Sequence, residues 1–157
     1  MMTWYWWLAI PAAGYGCFSL WRLIKKSEDD QRALEAAINA HIGREPDHFY
    51  YLRSHAPGPR QVLAAFVPEQ KIYLGNYAEP FEPNRFLGPA DIRSWAIEWD
   101  TGIDSNDRTY KRRFSLRIAV KSVERPLVKI DCQDEATAYQ MREIFSQAFG
   151  DHGERSP

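Results

Sequence analysis

The stretch Trp4 to Ile24 (WYWWLAIPAAGYGCFSLWRLI) constrains this chain more than any other, because its twenty-one residues carry a single charge, Arg22. A helix of that length spans roughly 30 Å, the thickness of a bilayer's hydrocarbon core. Trp4, Trp6 and Trp7 cluster at one end and Trp21 lies near the other. Indole rings favour the headgroup level, where an apolar body and a polar N–H are both satisfied. The pattern therefore predicts a single transmembrane helix anchored by Trp4, Trp6, Trp7, Trp21, Arg22, Lys25 and Lys26. No Lys or Arg precedes the stretch, while Arg22 lies near its inner end and Lys25 and Lys26 follow it directly. The positive-inside bias then places the N-terminus outside and residues 25–157 in the cytoplasm, as a single-pass protein of the inner (cytoplasmic) membrane.

A cleaved signal peptide competes with this reading, but it would carry a basic leader, and none is present. Gly14-Tyr15-Gly16-Cys17 has the outline of a lipoprotein cleavage site, except that Gly14 stands where an aliphatic residue belongs. Within the stretch, Ala9, Ala13 and Cys17 share one helical face, as do Ala12 and Gly16. Small residues at that spacing let helices approach closely, so self-association through the span is a possible use, with ordinary span composition as the plain alternative. The two cysteines, Cys17 and Cys132, imply no disulfide framework, which suits a reducing compartment.

Beyond the stretch lies about one domain's worth of chain. The formal net charge of −1 gives no general attraction to nucleic acid. Ser27 reads as the cap of a second helix, with Glu28, Asp29 and Asp30 at its positive end; Leu34, Ala37, Ile38, His41 and Ile42 form its apolar face, and Gly43 its stop. That helix either continues the membrane helix or folds back onto the domain. Strands follow at 47–55, 60–67 and 71–74, with a turn at Ala56-Pro57-Gly58-Pro59 and a mostly loop segment over 75–89. Ile92 to Trp99 alternates with Trp95, Ile97 and Trp99 on one side. Asp100 to Asp107 reads as a polar connection. Arg112 to Lys121 alternates with Phe114, Leu116, Ile118 and Val120 inward and Arg113, Ser115, Arg117, Ala119 and Lys121 outward. Leu127 to Asp131 is a last strand. Asp134 then caps a helix whose stripe is Met141, Ile144, Phe145, Ala148 and Phe149, ended by Gly150.

The hairpin Val62–Leu74, the Ala90-Asp91-Ile92 lead into a strand, and the final strand–helix unit (PLVKIDC and the helix) resemble small bacterial membrane-anchored proteins with a pleckstrin-homology-like domain. The resemblance covers residues 47–149 and is one of element order, not of a catalytic signature. It implies an α+β chain: an N-terminal transmembrane helix, then a pleckstrin-homology-like antiparallel β-sandwich or partly open barrel with a C-terminal amphipathic helix. The expected divisions are a transmembrane anchor at 1–26, a linker helix at 27–46, the domain at 47–150 and a disordered tail at 151–157.

No residue pattern announces chemistry. The histidines at 41, 48, 55 and 152 have no metal spacing. There is no phosphate-cradling Gly-rich loop and no GxSxG elbow. Asp100, Asp104 and Asp107 lack the spacing and closing glutamate of a calcium loop. No cofactor, metal or catalytic residue is therefore expected. The best candidate surface is a basic strip, Lys111, Arg113, Arg117 and Lys121, that could take an anion or a partner; its plain alternative is the solvated side of a strand. The resulting expectation is a membrane-tethered, non-catalytic module that recognises a protein partner at the cytoplasmic membrane face. Binding of anionic lipid headgroups and an immunity-type protein that neutralises a toxin are the alternatives.

Overall fold

The computed structural model describes residues 6–52, 60–77, 79–124 and 126–150, with backbone only at 6–21 and 23. It contains two antiparallel sheets and two helices. Helix α1 (Trp6–Ile42) leads into β1 (His48–Leu52), β2 (Gln61–Phe66), β3 (Lys71–Asn76), a 3-10 turn at Pro83–Arg85 and β4 (Phe86–Leu87). These strands pair in the order β1-β2-β3-β4. A second sheet, in the order β5-β6-β7, follows from β5 (Ile92–Ile103), β6 (Thr109–Val120) and β7 (Leu127–Asp131), and α2 (Glu135–Phe149) is the last element among the described residues.

The expected transmembrane helix is not found: among the described residues, no helix is long and apolar enough to cross a membrane. Helix α1 has length to spare at 37 residues, so apolarity decides. Pro11, Gly14, Tyr15, Gly16, Ser19 and Arg22 dilute the Leu and Ile of the stretch, and the tryptophans add little hydropathy. Six of the eight residues from Lys25 to Arg32 are charged. The single-pass topology, the outside N-terminus and the inner-membrane location all rested on that span, and they fall with it. Of the residues expected to anchor it, Trp4 lies outside the described residues, as do the side chains of Trp6, Trp7 and Trp21; Arg22, Lys25 and Lys26 are exposed.

The boundary expected near Ser27 is also absent. Helix α1 runs through it without a break, so Ser27 is an interior residue and not a cap. The helix stops where Gly43 adopts φ 87°, a conformation glycine takes without penalty, and the Gly43 N–H bonds the Asn39 carbonyl at 2.7 Å.

The last turns of α1 dock on the domain. Leu34 and Ile38 are buried with Val62, Ala64, Phe66 and Tyr73, and Ile42, Phe49 and Phe86 pack around them. The exposed ring of His41 stacks on Phe86 with centroids 5.0 Å apart. Arg44 lashes the junction down, donating to Glu69 at 2.9 and 2.8 Å and to Asp47 at 2.7 Å. The other face of the first sheet, with Leu63, Ala65 and Ile72, meets Trp95, Leu116, Ile118 and Ile130 of the second sheet and Met141, Ile144 and Phe145 of α2. Because β2 is covered on both faces, Val62 to Phe66 form an unbroken buried run in place of an alternation. Gln61 closes the gap between the sheets: its Nε2 donates to the Lys129 carbonyl at 2.9 Å, and its Oε1 accepts from the Asp131 N–H at 3.0 Å.

Two loop expectations change. The segment 75–89 contains the end of β3, the 3-10 turn and the two-residue β4. The connection expected at 100–107 shrinks to the residues between Ile103 and Thr109, because Asp100 to Ile103 pair with Thr109 to Arg112. Pairing with a neighbour outweighs the turn preference of Asp and Gly. The turn at 56–59 and the tail at 151–157 lie outside the described residues.

Candidate functional site

Strands β5 and β6 are twelve residues each, about twice the length of β1, β2, β3 and β7. Their inner halves build the core. Their outer halves, Asp100 to Ile103 and Thr109 to Arg113, run on beyond it: between residues 100 and 113 only Gly102 is buried. The result is a two-stranded arm. Its tip is held by Asp104, whose Oδ1 accepts the Asn106 and Arg108 N–H groups, both at 2.8 Å. At Gly102 a Cβ would lie 2.7 Å from Cζ of Tyr110, so the glycine makes room for that ring to lie across the arm. Ile103 is 71% exposed and Tyr110 47%.

The arm begins at a β-bulge. Glu98 faces Ser115 and Asp100 faces Arg112, so Arg113 and Phe114 together oppose Trp99, and Arg113 takes φ 53°. An extra residue reverses the facing of every side chain beyond it. This divides the expected basic strip. Arg113 and Arg117 stay on the outer face, with Lys121 exposed just past the end of β6. Lys111 is turned to the opposite face, where its Nζ sits 3.9 Å from the Trp99 ring centroid and 3.4 Å from Glu135 of α2. The strip is also largely neutralised: Arg117 bonds Glu98 at 2.6 Å, and Arg113 lies 3.7 Å from Asp100. Exposed pairs of this kind contribute at most about 1 kcal/mol each. They do remove free positive charge from a surface whose sequence suggested an open cationic face.

Two residues outside the expected basic strip also belong to this outer face. Lys129 on β7 lies directly across from Arg117, and Ser115 lies between Glu98 and Asp131. The alternation of Leu127 to Asp131 marks Lys129 as outward-facing, but only the register puts it beside Arg117. Ser115, expected on the solvent side, is 1% exposed, because long charged neighbours on both adjoining strands cover it. Together with Glu98, Asp100 and Arg113, these two residues line a cleft of about 280 Å³.

The remaining reactive groups have structural surroundings. Cys132 is fully buried, and burial pushes its thiol up to about 11, so it is a protonated thiol at neutral pH. His48 stacks on Tyr50 and lies 3.3 Å from Gln147. Among the described residues, no group of three His, Cys, Asp or Glu side chains could hold a metal ion.

Comparison with protein-family profiles, with curated proteins and with solved structures finds no match. The reading of this surface therefore rests on its own residues.

Proposed function

We propose that this chain is a non-catalytic recognition module for a protein partner and that the β5–β6 arm makes the contact. The observation that carries the proposal is the arm itself: a hairpin extended past both cores, with Ile103 exposed on one face and Tyr110 on the other. Hairpin extension costs chain entropy, and the domain's core gains nothing from it. Aromatic and aliphatic side chains held out on a rigid ladder are the kind of anchor that partner surfaces bury, and tyrosine is prominent among interface hot spots. The bulge and the Lys111–Glu135 and Lys111–Trp99 contacts fix the base of the arm against α2.

The test is site-specific photo-crosslinking of the full-length protein in its native cell. A photoreactive phenylalanine analogue replaces Ile103 in one sample and the exposed α2 residue Glu143 in the other. The proposal expects one dominant protein adduct from position 103 that is absent from position 143 and lost when Tyr110→Ser is added. The same adducts from both positions, or none from the arm, would overturn it.

A further inference from the structure

A sheet ends in edge strands whose outer N–H and C=O groups lack a neighbour, and folded proteins shorten or cover such edges. Three of the four edges in this fold are short. β4 is two residues long, and β1 and β7 are five each. On β7, the Gln61 side chain also takes the Lys129 carbonyl and the Asp131 N–H. β5 is different. It is twelve residues long, it stands at the end of its sheet, and β6 is its neighbour on one side. Among the described residues, no backbone hydrogen bond outside that ladder reaches Ile92 to Ile103. The irregularity at Arg93 interrupts the strand near its start, so the regular free edge runs from residue 94 to residue 103.

We infer that the free edge of β5 binds an extended segment of a protein partner as an added strand, and that this segment alternates basic and apolar residues. The inference rests on the recognition reading above and says how the arm is engaged. The backbone sets the shape of the ligand, because an extended chain offers N–H and C=O groups at the strand repeat. Side chains set its composition. An added strand lies beside Ala96, Glu98 and Asp100 on the outer face and beside Ile97, Trp99 and Ile103 on the other. Over the whole outer face the charges nearly cancel, since Asp131 of β7 joins Glu98 and Asp100 against the cations of β6 and β7. At the rim they do not. From residue 94 to residue 103, β5 carries Glu98 and Asp100 and no base, and the cations lie on the strands behind it. Glu98 bonds Arg117 at 2.6 Å on its inner side. A carboxylate accepts from several directions, so a basic residue on the new strand extends that row outward. A second copy of this chain is the poorer occupant. The middle of the free edge falls at Glu98 and Trp99, and antiparallel self-pairing centred there sets Glu98 against Glu98 or against Asp100. Like charges directly opposite one another destabilise a ladder.

The probe is a short synthetic peptide of alternating lysine and valine, titrated into the ¹⁵N-labelled full chain and followed by NMR and amide hydrogen exchange. The expected result is saturable shifts along residues 94–103, with slowed exchange at alternate amides of that stretch. Exchanging lysine for glutamate in the peptide weakens binding at least about tenfold, because favourable cross-strand pairs become unfavourable ones. Glu98→Gln with Asp100→Asn narrows that difference, and N-methylation of two adjacent central residues of the peptide abolishes binding. Equal binding of the lysine and glutamate peptides would overturn the basic composition. Binding that survives N-methylation, shifts confined to other strands, or no saturable binding would overturn the added strand. Protection of β5 amides that rises with protein concentration in the absence of peptide would put a second copy on the edge and overturn the assignment to a partner. The titration contains no cellular partner, and the crosslinking at Ile103 captures a partner however it binds, so failure of one reading is distinguishable from failure of the other.

Discussion

Replacing Ile38 by alanine tests whether the long first helix is part of the folded domain or a stalk that stands off it. Ile38 is fully buried, wedged among Leu34, Val62, Ala64, Phe66 and Tyr73. The substitution removes three carbons, worth about 2.4 kcal/mol at ~0.8 kcal/mol each. A rigid sheet behind the site prevents full collapse, and the residual cavity raises the loss to about 3–4 kcal/mol, inside the range found for buried Ile-to-Ala changes. The helix propensity of alanine returns only a few tenths of that. Urea denaturation of the full chain, followed by tryptophan fluorescence, reads the effect. With a slope of roughly 2 kcal/mol per molar, the midpoint should fall by about 1.5–2 M. Arg32→Ala, at an exposed position on the same helix, serves as the control and should change stability by no more than about 0.5 kcal/mol. A loss below about 1 kcal/mol at Ile38 would refute the docking, because a residue on a free-standing stalk has no cavity to leave behind.

Two further outcomes follow from the contacts described. Gln61→Ala should cost about 1–2 kcal/mol, since it leaves the Lys129 carbonyl and the Asp131 N–H without their partner, and hydrogen exchange should accelerate at Asp131 before it does at the β6–β7 ladder; unchanged exchange at Asp131 would show that this bridge does not join the sheets. Asp134 accepts the Thr137 N–H and hydroxyl, each at 2.7 Å, and these bonds hold its carboxyl below the ordinary carboxylate range. A depressed folded value stabilises the chain above the unfolded carboxylate pKa, and that contribution is lost as pH falls through the folded value. Asp134→Ala should therefore lower the thermal midpoint at neutral pH, with the gap to the parent closing as the carboxyl protonates; a gap that stays constant down to about pH 2 would contradict the linkage.

Local chemistry alone makes several elements legible in the sequence. The cap at Asp134, the stripe from Met141 to Phe149 and the stop at Gly150 read directly from residue types, because a helix end needs a side-chain acceptor at one terminus and a positive φ at the other. Alternation placed Trp95, Ile97 and Trp99 on one side of β5, where they join or pack against the main core. The apolar stretch at the N-terminus misled for a physical reason: length and tryptophan placement favour a span, but crossing a membrane requires a mean apolarity that proline, glycine, tyrosine and arginine deny to α1. The candidate site was only half legible. That Arg113, Arg117 and Lys129 are cationic is a property of the residues, and so is the outward alternation of Arg117 and Lys129. Their assembly is not. A bulge is a one-residue mismatch between two strands, and nothing within either strand records it. It appears only when β5 is laid against β6, and it then decides that Lys111 leaves the basic strip. The sequence by itself determined which segments are helix and strand at their centres and which faces are apolar. The tertiary structure alone decided the register, the second buried face of β2 under α1, and which charges meet, because those depend on contacts between residues far apart in sequence, 70 positions in the case of Gln61 and Asp131, whose free energy no local window contains.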